Sequence, residues 1–130
     1  MRLTRICLWL LATSTAVVGV PATVAPGTFY DDFPFAAHWV DRLPPYNEHL
    51  VTDVGGLYLA FTVLFVWAAI TLSSTLVRAV CVAWLLAALL HLAFHATHLG
   101  HLSTADGVAE IVSLAFVVGL PIVALVGVRR

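Results

Sequence analysis

Apolar residues occupy four long, nearly unbroken stretches of this chain, and the polar residues gather between them. The stretches cover residues 6–24, 54–72, 79–99 and 108–128. A helix rising 1.5 Å per residue needs ~20 apolar residues to cross the hydrocarbon of a bilayer. Lipid offers the backbone no hydrogen bonds, so such stretches fold as helices. None of them alternates apolar and polar positions, which excludes a transmembrane β-barrel. The pattern predicts an all-α membrane protein: one transmembrane domain over residues 1–130, built as a four-helix bundle.

Local signals place the boundaries. Pro21 and the pair Pro26-Gly27 are expected to close the first helix. Ser73-Ser74 marks a tight link before the third. Gly100 stands where a glycine cap ends a helix. Ser103 and Asp106 have the spacing of a capping box at the start of the fourth helix, and Pro121 lies within it. The first stretch also has a basic start and small residues at Thr23-Val24-Ala25, as a cleavable signal peptide does. It exceeds the usual ~7–15-residue apolar region of such peptides, so retention as a helix is expected.

Composition narrows the class further. The chain is 62% hydrophobic and 10% charged. A soluble domain carries ~25% charged residues, and a disordered chain has low hydrophobicity, so both are excluded. With no basic stripe, nucleic acid is excluded as a partner. The lipid bilayer is the first partner, and a membrane-protein partner or a second copy of the chain is the next.

The charges set an orientation. Arg2, Arg5, Arg78, Arg129 and Arg130 fall on one side of the four-span layout, and only Arg42 falls on the other. The positive-inside rule then puts both termini and Arg78 in the cytoplasm. Every carboxylate and every histidine lies in an outer loop or the outer half of a helix.

Among those groups, His91, His95 and His98 recur at i, i+4, i+7, within ~60° on one helical face. His91 lies ~13 Å along the helix from Gly100, and Trp84 and Ala87 are expected to continue the stripe inward. Glu110 enters the fourth helix to a similar depth and is expected to meet His91 or His95. Asp106 and Ser113 share its face. His49 and Asp53 are spaced i, i+4 at the start of the second helix, and Gly55-Gly56 permits close approach of a neighbour there. Ionisable groups within a bilayer face the bundle and find partners. His49, Asp53, His91, His95 and Glu110 are therefore the candidate site, expected to form one pocket open to the outside.

Three chemistries suit these residues. Imidazoles and carboxylates bind a transition metal such as zinc, iron or copper. Histidines on two helices can hold a haem. A proton relay uses the same groups, because histidine changes charge near neutral pH. The plain alternative is a hydrogen-bonded network that fastens helices together. The metalloprotease arrangement His-Glu-x-x-His is absent, as are a glycine-rich phosphate loop and a nucleophile elbow, so an enzyme is not expected.

The outer loop carries Phe29, Tyr30, Phe33, Phe35, Trp39 and Tyr46 among Asp31, Asp32 and Asp41. Aromatic side chains with polar neighbours favour the membrane interface. Residues 36–43 are expected to form a short helix there, ended by Pro44-Pro45, with the loop folded as a lid over the outer mouth and Asn47 opening the next helix. Cys7 and Cys81 lie toward the cytoplasmic, reducing side, where a disulfide is not expected.

The segments Phe29-Tyr30-Asp31-Asp32-Phe33-Pro34, His38-Trp39-Val40, Leu43-Pro44-Pro45-Tyr46-Asn47-Glu48-His49, His91-Leu92-Ala93-Phe94-His95 and His98-Leu99 resemble a family of small uncharacterised actinobacterial integral membrane proteins. They are more distantly similar to DoxX-like four-helix membrane proteins. The resemblance implies four helices in a bacterial inner membrane and carries no catalytic role. The leading expectation is a structural or accessory membrane protein. The alternatives are a metal- or haem-binding redox protein and a proton-coupled small-solute transporter subunit.

Overall fold

A computed structural model describes residues 1–42 and 45–128, with only the backbone of His101. The described chain is all-helical. In order, the helices are α1 (Arg2–Val24), the short α2 (Pro26–Asp32), α3 (Glu48–Thr71), α4 (Ser74–Ala96) and α5 (Thr104–Gly127), with a 3₁₀ turn at Leu99–His101 before α5. Helices α1, α3, α4 and α5 are each long and apolar enough to cross a membrane.

Several ends differ from the sequence pattern, each for a local reason. Helix α1 runs through Pro21, which breaks only one turn's bonding, and ends where the Ala25 N–H donates to the Pro21 carbonyl. Pro26 and Gly27 follow directly on that end, as expected, but not in a loop. They open α2, because proline at the first helical position lacks only an N–H that would be unbonded anyway. Helix α3 starts at Glu48, six residues before its apolar stretch, because the Asn47 side chain accepts the Leu50 N–H. Helix α4 stops at Ala96, and Gly100 lies in the 3₁₀ turn; no described glycine takes a positive φ, so it is not a left-handed cap. Ser103 does cap α5: its Oγ accepts the Asp106 N–H and donates to the Asp106 carboxylate at 2.6 Å. This differs from a capping box, whose acid reaches back to the cap's own N–H.

The short helix expected over residues 36–43 is not formed. Phe35, Ala36 and His38 have positive φ, which interrupts any helix there. Leu43 and Pro44 lie outside the described residues, as do Arg129 and Arg130 of the orientation argument.

Helix α1 packs along α3 on one side and α5 on the other, while α4 closes against α5 and more sparingly against α3. Its buried stripe is Thr4, Cys7, Leu8, Leu11, Ala12, Thr15, Gly19 and Ala22, at helical spacing. Near one end, Thr4 meets Gly127 of α5 and the Arg5 Nε–H donates to the Ala69 carbonyl of α3. Toward the other, Gly19 lies against Leu59 and Gly55, and Gly55 lies against Ala22 and Thr23. Arg2, Arg5 and Arg78 therefore share one end, while His49, Asp53, His95 and Asp106 lie toward the opposite end. Gly56, paired with Gly55 in the sequence reading, faces open space.

The core joins Leu8, Leu11, Phe65, Val77, Cys81 and Trp84, with Cys7 and Cys81 as buried free thiols. Trp84 meets Tyr58, Phe61 and Phe65 with ring planes 64–87° apart, edge toward face. Midway along the α1–α3 seam, the Thr62 hydroxyl donates to Thr15 Oγ1 at 2.8 Å. Interhelical bonds of this kind contribute ~0.6 kcal/mol on average in a membrane protein. Thr62→Val is expected to lower stability by about that amount, measured by denaturant titration from mild detergent.

Candidate functional site

The five candidate residues do not converge. They form two groups that no contact joins, and no three His, Cys, Asp or Glu side chains among the described residues come together to hold a metal ion.

The first group is His49 and Asp53, 3.3 Å apart on the first turns of α3. Both side chains are open, 87% and 58% exposed, so their pairing is weak. Asp53 shares its helix with Gly55, but the two point differently: Gly55 faces α1 and Asp53 faces out.

The second group lies between α4 and α5. His95 Nδ1 and Glu110 Oε1 are 2.8 Å apart, with side chains only 11% and 7% exposed. Two antiparallel helices joined by a short turn put them level, and the residues about Glu110 explain its burial. Gly107, one turn before it on α5, is itself buried and packs toward Leu99. Ser113 turns its hydroxyl to the Glu110 backbone carbonyl, leaving the carboxylate to His95. With Nδ1–H donating, the bond satisfies a buried carboxylate that would otherwise be costly in lipid.

His91 touches this pair from one turn further in. Its ring lies 4.4 Å from the His95 ring at 66°, yet the residue as a whole is exposed. His91, His95 and Glu110 thus form a line from an exposed imidazole to a buried carboxylate. The stripe does not extend as the sequence suggested. His98 lies beyond the end of α4, stacked on Phe94 at 4.1 Å and bonded to the Phe94 carbonyl. Inward, Trp84 and Ala88 are buried while Ala87 is exposed, because the face of α4 that meets its neighbours follows residues 77, 81, 84 and 88.

One contact at this end had no sequence signal. The Trp39 indole N–H donates to Asp106 Oδ1 at 3.4 Å, tying the segment after α2 to the first turn of α5. Tyr30 donates to the Asp41 carbonyl and its ring meets Tyr46 at 5.2 Å. Residues 67 apart in sequence carry no periodic signature of their meeting. Asp106→Ala removes both the tie and half of the Ser103 cap. It is expected to speed backbone hydrogen exchange in the first turn of α5 and to leave the α1–α3 seam unchanged.

No family model matches the chain, and no curated protein or solved structure is significantly similar to it.

Proposed function

We propose that this chain is a multi-pass protein of the bacterial inner membrane: a four-helix bundle with both termini in the cytoplasm and an aromatic-rich outer loop between its first two spans. Its role in this reading is non-enzymatic, as a structural or accessory component of a membrane complex. The resemblance to small actinobacterial membrane proteins belongs to the same proposal.

The observation that carries it is the use of the buried His95–Glu110 pair, the one buried ion pair among the described residues. Glu110 is spent on His95, and the bond links α4 to α5. Much of the rest of the helical surface is apolar, with Leu57, Val63, Leu86 and Leu90 all more than half exposed. Such surface suits lipid or another helix and offers no convergent polar groups for a reaction. Burial of Leu8 and Leu11 of α1 in the core supports its retention as a span.

The test is purification in mild detergent after metal-replete expression, with metal analysis, a visible spectrum and identification of co-purifying proteins. A colourless, metal-free protein with a stoichiometric partner is the expected result. Stoichiometric metal or a haem band abolished by His91→Ala or His95→Ala would overturn it.

The line from His91 through His95 to Glu110 favours a second reading, a proton-coupled transporter subunit. Its mark would be loss of proton-coupled flux in liposomes on Glu110→Gln with folding intact.

A further inference from the structure

Phe35 is the most exposed large apolar side chain in the described protein, at 95%. It does not lie on a membrane-spanning helix. It sits at the reversal after α2, where Phe35 has φ 48° and the next residue, Ala36, φ 62°. Side chains other than glycine rarely adopt this left-handed region, because Cβ crowds the backbone. The reversal is nonetheless built into a bonded frame. The Ala36 N–H donates to the Asp32 carbonyl, the Ala37 N–H to Pro34, and the Trp39 N–H to Phe33. His38 Nδ1 meets the Asp31 carbonyl, and Phe29 packs on Phe33 with ring centroids 4.6 Å apart. Phe29 and Phe33, Tyr30 and Trp39 are partly buried through contacts with one another, Tyr46 or Asp106, and Phe35 is the most fully exposed aromatic of the segment. In water such a ring gains nothing from its exposure, whereas at a membrane interface it gains by leaving water.

The ends of the segment say what surrounds it. Residue 25 directly follows α1 and residue 47 directly precedes α3, both helices of membrane-spanning length. Trp39, four residues after Phe35, is bonded to Asp106 in the first turn of α5, which sets the turn near the end of that span, where hydrocarbon gives way to headgroups. Aromatic rings partition to that level. Asp31 and Asp32 on α2 are exposed and ionisable, so they require the aqueous side.

We propose that Phe35 is a lipid-contacting anchor, inserted at the headgroup–acyl boundary of the outer leaflet, while the acidic pair on α2 stays in water. The occupant of this surface is the bilayer itself, and the inference rests on the multi-pass reading above. It assigns the aromatic segment a fixed position against the membrane plane. The Trp39–Asp106 tie then hands that position to the first turn of α5.

The test uses single nitroxide labels at Phe35→Cys, Asp31→Cys and Val63→Cys, with Cys7 and Cys81 replaced by alanine, in phosphatidylcholine–phosphatidylglycerol vesicles. Val63 lies on α3 at 64% exposure and serves as the lipid reference. Collision with oxygen relative to a water-soluble nickel chelate is expected to be about tenfold greater at position 35 than at 31, with the label at 35 within ~5–10 Å of the headgroup–acyl boundary. Water-like behaviour at both 31 and 35, with 63 in lipid, overturns the anchor and leaves the membrane reading intact. Water-like behaviour at 63 overturns the membrane reading and the anchor with it. A nitroxide is itself apolar, so a second measurement uses the unlabelled chain. Phe35→Asp is expected to lower thermal stability in vesicles but not in detergent micelles, where the loop meets no fixed plane. An equal effect in both, or none in either, also overturns the anchor.

Discussion

Gly55→Ala is expected to destabilise the protein by about 1–3 kcal/mol, the usual cost of forcing atoms into a filled interior. A Cβ there would lie 2.5 Å from Thr23 Oγ1, 2.9 Å from the Thr23 nitrogen and 3.0 Å from the Ala22 carbonyl carbon. Thr23 cannot turn away freely, since its hydroxyl donates to the Gly19 carbonyl at 2.8 Å. Two of the three obstacles are backbone, so α1 and α3 must separate along their most extensive contact. The added methyl also raises helix propensity by ~1 kcal/mol, which offsets part of the loss. Gly56→Ala isolates that gain, because nothing lies within 4 Å of its Cβ. It is expected to be neutral or slightly stabilising. Denaturant titration of helicity from mild detergent compares the two variants. Equal stability of Gly55→Ala and Gly56→Ala would show that α1 does not sit on α3 through this seam.

The second large effect concerns Glu110. Glu110→Leu leaves a His95 N–H that is 11% exposed without an acceptor, and an unsatisfied buried polar group costs about 1–3 kcal/mol. Glu110→Gln keeps an oxygen facing His95 Nδ1 and is expected to retain most of the stability. The pair His95→Ala, Glu110→Leu should lose less than the sum of its single changes, because each single change strands a partner. Additive losses in that cycle would mean that the two side chains act independently. A normal fold in Glu110→Gln, joined to loss of proton-coupled flux, would favour transport over fastening.

These two sites differ in how far the sequence exposes them. The meeting of Glu110 with His91 or His95 is legible, because a short turn between two spans fixes their relative depth. The choice of His95 is not, because it depends on the rotation of α4 about its axis. Gly55 could be marked as a place of close approach, but its partners Gly19 and Thr23 could not. Gly19 was available as part of the small-residue stripe of α1, which includes Ala12, Thr15 and Ala22. Cofactor-type grouping was the weakest inference. His49 and Asp53 share residue types with the α4–α5 pair, and residue type carries no information about which helices adjoin.

The segment between α1 and α3 shows the same limit. Its aromatics suggest a membrane interface, and a short helix ended by Pro44-Pro45 is expected over residues 36–43. The chain instead makes α2 at Pro26–Asp32 and reverses through left-handed residues at Phe35, Ala36 and His38. Apolar periodicity cannot register such a reversal, because it is fixed by backbone bonds among Asp32, Phe33, Pro34, Ala37 and Trp39.

What the sequence by itself determined is the number and placement of the long apolar helices and the segregation of arginines from acids and histidines. The first follows from the cost of placing polar backbone and charge in hydrocarbon, the second from the bias that keeps arginine on one side of a membrane, and each segment meets both alone. Only the tertiary structure decided which faces meet, that Glu110 is bonded to His95, that His49 and Asp53 stand apart from them, and that Trp39 reaches Asp106. Those depend on helix rotation and close approach between segments distant in sequence, which no single segment's hydrophobicity encodes.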